Sequence, residues 1–209
     1  MRRQIFQVLV SVSLLMCIPS YAEESKLLSM VSPKLRQFLT THPGTLAVFT
    51  NTLSEAFSRR AVQVYYFYSD NDSEPRTYHY YPSESVVGIC VRENQQPLDE
   101  FLCLVFESLN SESEKAFRDL YRRAESGGIT RTGFAQEMLK VEFNAAKRMR
   151  DLVRRLKLNE KEVSESYYYT RFSGCPDGFD DFLSYIAKVS PARDAIKGYE
   201  GRYDSLRKH

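Results

Sequence analysis

Apolar residues Leu46, Phe49, Leu53, Ala56 and Phe57 recur at steps of three and four between Thr45 and Ser58, the period of one helical face. Before them, residues 23–44 start polar, carry Pro33, Pro43 and Gly44, and hold one amphipathic stretch from Lys34 to Leu39, which predicts a short helix and a turn. The period then changes. Ala61–Tyr68, Arg76–Tyr81 and Ser85–Val91 are rich in β-branched and aromatic residues, with turn chemistry over Ser69–Pro75, and predict three strands of a small, largely antiparallel sheet. After Pro97 the pattern is helical. It predicts helices over Pro97–Ser111, from the capping-box pair Ser111 and Glu114 to Gly127-Gly128, over Thr130–Leu156, Asp177–Lys188 and Ala192–Arg207. A helix, three strands and then helices make an α+β class, and neither a repeat nor a linker divides residues 23–209.

The first 22 residues have a different character. Arg2 and Arg3 precede an apolar run from Ile5 to Ile18, and Ser20-Tyr21-Ala22 puts small residues at the two positions a signal peptidase reads. We expect cleavage after Ala22 and an exported protein, periplasmic or secreted. A membrane anchor needs about 20 apolar residues, whereas this run is broken by Gln7, Ser11 and Ser13 and ends at Pro19. Lipidation at Cys17 is disfavoured by the bulky Met16 before it. No later stretch approaches spanning length, so no integral membrane segment is expected after cleavage.

Losing Arg2 and Arg3 with the signal brings the 29 Lys+Arg of the chain level with its 27 Asp+Glu. A neutral exported chain gives no reason to expect nucleic acid as a partner. The basic run Lys147, Arg148, Arg150, Arg154, Arg155 and Lys157 reads as a solvated helix end that suits the helix dipole. A chain of this size buries roughly 70% of its unfolded surface without covalent staples. Only Cys90, Cys103 and Cys175 survive processing, an odd number that excludes a disulfide framework and allows one bridge at most.

On a helical wheel at about 100° per residue, Asn110 falls between Phe106 and Cys103, inside the apolar arc of the Pro97–Ser111 helix. On the next long helix Glu142 lies in the middle of an apolar arc with Val141, Ala145, Met138 and Met149. A carboxylate there must be paired, protonated or coordinated, because an unpartnered buried charge costs several kcal/mol. Phe106-Glu107-Ser108-Leu109-Asn110 has the spacing of H-E-x-x-H, in which two histidines one turn apart bind zinc and the glutamate activates water.

Strands, a helix with this spacing, an intervening helix and a long helix with an inward glutamate resemble the gluzincin branch of the zincin metallopeptidases over roughly residues 60–155. The resemblance implies a zincin-like fold, a general-base role for Glu107 and a third-ligand role for Glu142. Both zinc histidines are replaced: Phe106 has no lone pair, and the amide of Asn110 is a weak ligand beside imidazole. The implied protein is a pseudo-metallopeptidase, without metal or cofactor, whose former cleft is lined by Phe106, Glu107, Asn110 and Glu142 and takes a peptide or protein ligand. A hydrolase with a metal site rebuilt from His79, Cys103 and Glu142, or using Glu107 and Glu142 as a carboxylate pair, is the alternative. A structural envelope-associated protein is another.

Tyrosine is abundant, 14 residues, and clusters at 65–68, 78–81 and 167–169. Strand alternation puts Tyr66 with Tyr68, and Tyr78 with Tyr80, on shared faces. Such faces suit a peptide or sugar, or simply cross-strand packing. Cys175, in the turn Gly174-Cys175-Pro176-Asp177-Gly178, has no histidine or lysine close in sequence to activate its thiol.

Overall fold

Helices, then three consecutive strands, then helices again follow the change of period along the chain. A computed structural model describes residues 21–68, 77–156, 158–189 and 195–207. The expected signal core and Lys157 lie outside the described residues, while Tyr21 and Ala22 open the first helix, α1 (Tyr21–Ser29). Next come α2 (Pro33–Thr41), α3 (Pro43–Arg59), β1 (Ala61–Phe67), β2 (Thr77–Ser83), β3 (Val86–Arg92), α4 (Pro97–Ser111), α5 (Glu114–Glu125) and α6 (Arg131–Val153). α7 (Glu160–Glu165), α8 (Tyr167–Ser173), α9 (Phe179–Val189) and α10 (Ala195–Leu206) follow. The class is α+β, mostly helical.

The sheet corrects one expectation. Its order is β1-β3-β2, with β3 parallel to β1 and antiparallel to β2, so it is mixed rather than largely antiparallel. β3, the last of the three in sequence, holds the central position between β1 and β2. β3 is the most apolar strand, and Val87, Ile89 and Val91 are all buried. β1 and β2 are edges.

Helix ends follow local chemistry, with one exception. Ser32 caps α2, its Oγ accepting from Leu35 N at 3.1 Å, and Thr130 caps α6, its Oγ1 accepting from Gly133 N at 3.1 Å. Gly127, at φ 74°, takes the left-handed conformation that closes α5. The expected Ser111–Glu114 capping box does not form. Ser111 Oγ donates to Ser108 O at 2.7 Å, still inside α4, and Glu114 is drawn away by Arg60 and Arg118. Pro43 and Gly44 are not a turn, because Pro43 opens α3, a position that needs no amide hydrogen.

α4 departs furthest from its periodicity. Every residue from Leu98 to Asn110 is buried, so the helix has no solvent face. It packs against α2, α3, α6, α8 and the sheet, as a helix enclosed on all sides must. Its core neighbours include Leu35, Leu39, Phe49 and Ile89, each fully buried. Such side chains contribute about 2 kcal/mol each relative to exposure. A smaller cluster of Phe117, Leu120, Ala124, Phe134 and Met138 joins α5 to α6 under α10.

Candidate functional site

Enclosing α4 leaves its polar residues no water, so each needs a partner from elsewhere in the fold. Near its start, Asp99 accepts from Ser166 Oγ at 2.5 Å and from the Tyr168 amide at 3.0 Å, at the beginning of α8. Glu100 accepts from the Tyr66 hydroxyl at 2.5 Å and from Ser32 Oγ at 2.6 Å. Tyr66 rises strongly in pKa, first from burial and then from its bond to Glu100. One turn from the far end, Glu107 Oε2 accepts from His79 Nδ1 at 2.7 Å. Three carboxylates thus tie one helix to α8, to the α2 entry with β1, and to β2.

The His79–Glu107 pair is the centre of the candidate site. Alternation along β2 turns His79 inward while Tyr78 and Tyr80 point out. Its side chain is 13% exposed and that of Glu107 is 6% exposed. With the carboxylate as acceptor, a ring proton sits on Nδ1 and fixes the plane of the imidazole. The ring rests against Tyr81 and Phe117, both with centroids at 5.5 Å. Among the described residues no serine, threonine or cysteine is hydrogen-bonded to it, so the pair has an oriented imidazole but no nucleophile.

Glu142 points toward the same region from α6. The Tyr199 hydroxyl of α10 donates to its Oε1. Burial pushes the Glu142 carboxyl up, the Tyr199 bond opposes this, and Glu107 pushes it further up while Arg171 and His79 pull it down. The same burial, beside Glu142, holds the Tyr199 phenol far above its ordinary value. Glu142 therefore has the partner its sequence position demands, supplied 57 residues along the chain.

The remaining sequence candidates are enclosed. Phe106 is 5% exposed and its ring lies 5.0 Å from that of Phe172. Asn110 is 1% exposed, and its Oδ1 has no hydrogen-bond partner among the described residues. Cys103 Sγ contacts Gln95 Oε1 at 3.7 Å, and burial drives its thiol well up. Cys90, Cys103 and Cys175 are all free and buried, on a strand, on α4 and beyond α8, so the bridge the sequence allowed does not form.

The zinc that the resemblance implies does not fit these residues. Phe106 presents a ring packed on another ring, and Glu107 is engaged by His79. The rebuilt set does not assemble either: among the described residues no three His, Cys, Asp or Glu side chains are grouped to hold a metal ion. Compared with protein-family models, with curated proteins and with solved structures, the chain matches none of them. No helix among the described residues is long and apolar enough to cross a membrane.

Sequence reasoning missed both Asp99 and Glu100: Glu100 lies outside the apolar arc of the wheel, whereas Asp99 falls inside it between Phe106 and Asn110, so its burial was readable and its partners were not. It also missed Arg171, which lines a hollow of about 340 Å³ with Ser166, Tyr167 and Thr170. At the basic end of α6 Arg148, Arg154 and Arg155 are exposed as expected, whereas Arg150 is largely covered. Arg148 Nη1 donates to Glu112 Oε2 at 2.5 Å and Arg150 Nη1 to Cys175 O at 3.1 Å, so these residues fasten neighbouring segments.

Proposed function

We propose that the chain is an exported, non-hydrolytic binding module built on a zincin-like core, and that its ligand is an extended peptide. One observation carries this reading: β2 is an edge strand that runs beside α4 and holds Glu107 through His79. Among the described residues no strand pairs with its outer side. An extended peptide gains main-chain hydrogen bonds by adding to such an edge, and alternate side chains supply specificity. The register irregularity between Tyr80 and Ser83, with Pro82 inside it, limits the usable edge to Thr77–Tyr81 and blunts pairing with other sheets. Glu107, engaged by an imidazole, has no metal-bound water to activate.

The test is to pan the purified chain against a random dodecapeptide display library, synthesise the enriched peptide, and incubate it with the protein. The reading expects binding, recovery of the peptide uncut by mass spectrometry, and at least about tenfold weaker binding when alternate backbone amides are N-methylated. An uncut peptide whose affinity ignores N-methylation rejects strand addition.

A carboxylate-pair hydrolase is the second reading. It is favoured by the raised carboxyl of Glu142 beside a Glu107 that His79 keeps in hydrogen-bonded contact. Cleavage of the selected peptide that disappears in Glu107→Gln would establish it over the first.

A further inference from the structure

The outer face of the sheet is a surface of tyrosine. Among the described residues the exposed large hydrophobics are Tyr65 at 41%, Tyr68 at 67%, Tyr78 at 42%, Tyr80 at 38% and Ile196 at 37%. Three of these five, Tyr65, Tyr78 and Tyr80, stand on that face, on β1 and β2, whereas alternation puts Tyr68 on the side of Tyr66. The central strand makes the arrangement possible, because β3 turns Gly88 and Cys90 outward between the two edge strands. Rings from β1 and β2 lean inward over these small residues and meet diagonally, Tyr65 with Tyr80 at 6.0 Å and Phe67 with Tyr78 at 5.7 Å. Tyr80 lies so close over Gly88 that a Cβ there would collide with its ring. The Tyr65 hydroxyl donates to Gln63 Oε1, and the hydroxyls of Tyr65 and Tyr80 interact.

We propose that this face is a binding platform for a neutral polysaccharide chain. The rings offer flat π surfaces to the C–H faces of pyranose rings, and Gln63 with the hydroxyls of Tyr65 and Tyr80 offers hydrogen bonds to their hydroxyls. The two ring pairs are set about 6.7 Å apart, two residues of strand rise, a spacing of the order of one sugar ring. Between the rings the described residues are uncharged, so the face offers no row of charges to an ionic polymer; Arg92 stands only at one end of it.

Size selects against a protein partner. At roughly 200 Å² for a whole aromatic side chain, the exposed parts of Tyr65, Tyr78 and Tyr80 come to about 250 Å², against about 800 Å² per partner in a standard protein interface. A peptide has no unpaired backbone to find on the face of a sheet, only at its edge. Hydroxyl-bearing rings in place of leucine and isoleucine disfavour a lipid tail. The platform uses the outward side chains of Tyr78 and Tyr80, the peptide edge the main chain of the same strand, and neither His79 nor Glu107 belongs to the platform.

The test titrates the full chain with four neutral hexasaccharides: β-1,4-glucan, β-1,3-glucan, β-1,4-N-acetylglucosamine and β-1,4-mannan. Calorimetry and tyrosine emission are the readouts, the latter unobscured because the chain has no tryptophan. At least one sugar is expected to bind with a dissociation constant on the order of 0.1 mM. Tyr65→Ala and Tyr80→Ala should each weaken it about tenfold or more. Tyr65→Phe, which keeps the ring, should cost about threefold or less, and Lys188→Gln, at the exposed end of α9, should leave affinity unchanged. Circular dichroism confirms that each variant is folded. Failure of all four sugars to bind, or binding that survives the Tyr65→Ala, Tyr80→Ala double variant, overturns the proposal. So does a concentration-dependent dimer that those substitutions abolish, which would make the face a self-association surface. None of these results bears on whether peptides add to β2.

Discussion

His79 Nδ1 stands 2.7 Å from Glu107 Oε2 and joins β2 to α4 across 28 residues of chain. Both side chains are almost enclosed, so removing one leaves the other short of a partner rather than restoring it to water. His79→Ala and Glu107→Ala should each lower unfolding free energy by about 1–3 kcal/mol, with a coupling of about 1 kcal/mol in the double variant. Urea denaturation of the four proteins measures this. Additive effects would mean that the two groups do not support each other.

Glu142 makes stability depend on pH in a definite direction. Burial raises its carboxyl above the ordinary 4.5 in spite of the Tyr199 bond. The folded state then holds a proton that the unfolded state has released, so the stabilising contribution is complete below pH 4.5 and is lost as pH rises toward the folded value. Glu142→Gln keeps a group that can accept from Tyr199 and removes the titration. The stability of the parent relative to this variant should fall with rising pH across that window and level off above it, as read from urea midpoints at successive pH values.

Glu114 should behave in the opposite sense. Burial alone would raise its carboxyl, but Arg60 and Arg118 outweigh that and hold it below 4.5. Arg118 Nε lies 2.6 Å from Oε1, and Arg60 bridges to Oε2. The stabilisation is present above the unfolded value and disappears as pH falls through the lowered folded one. Glu114→Gln should therefore cost about 1–2 kcal/mol near neutrality and almost nothing in strong acid. Thermal melts at pH 7 and pH 2.5 compare the two conditions.

Gly88 tests how the outer face is built. A methyl at this position meets the Tyr80 ring, and an overpacked site typically costs about 1–3 kcal/mol. Because Tyr80 is at the surface, its ring can swing aside, which places Gly88→Ala at the low end, about 1 kcal/mol. The Tyr65–Tyr80 contact should be lost with it, visible as changed ring-proton shifts for both tyrosines. Unchanged shifts would show that Tyr80 does not rest on the glycine.

Much of the backbone was legible in the sequence, because it depends on local chemistry. Pro97 at a first helical position and the apolar repeat to Leu109 fix α4 at Pro97–Ser111, and Thr130 caps α6 as its place before the repeat implies. The three strands lie within two residues of their expected bounds. α7 and α8 were missed. Tyr167-Tyr168-Tyr169 has no three-four spacing, and α8 is held instead by the Ser166 cap and by Asp99, 69 residues before Tyr168. The mixed sheet was missed for a related reason: strand composition records that a segment pairs, not with which neighbour. In the site, the inward glutamate on α6 was readable from periodicity, but its partner Tyr199 was not. Nor was the link from His79 to Glu107, since nothing in a period of two or 3.6 says which side chains meet across the fold.

The resemblance to gluzincins predicts what two histidines would do. If Phe106, Asn110 and Glu142 occupy the positions of the three zinc ligands, Phe106→His with Asn110→His returns two imidazoles one helical turn apart on α4 and leaves Glu142 of α6 as the third ligand. Asn110 is well suited to the change, because its Oδ1 is already buried with no hydrogen-bond partner among the described residues. Phe106 is the harder position: its ring packs on Phe172 at 5.0 Å, and a smaller imidazole leaves a gap there that costs about 1–3 kcal/mol until metal fills the site. The double variant should therefore be less stable than the parent without zinc, and gain stability when zinc is added, by about 2.7 kcal/mol at a hundredfold excess over the dissociation constant. Elemental mass spectrometry after gel filtration should find about one zinc per chain in the variant. Adding Glu142→Gln should weaken retention at least about tenfold, because the third ligand is lost. A folded double variant that holds no zinc, or holds it equally well without Glu142, would separate α4 and α6 from the gluzincin arrangement.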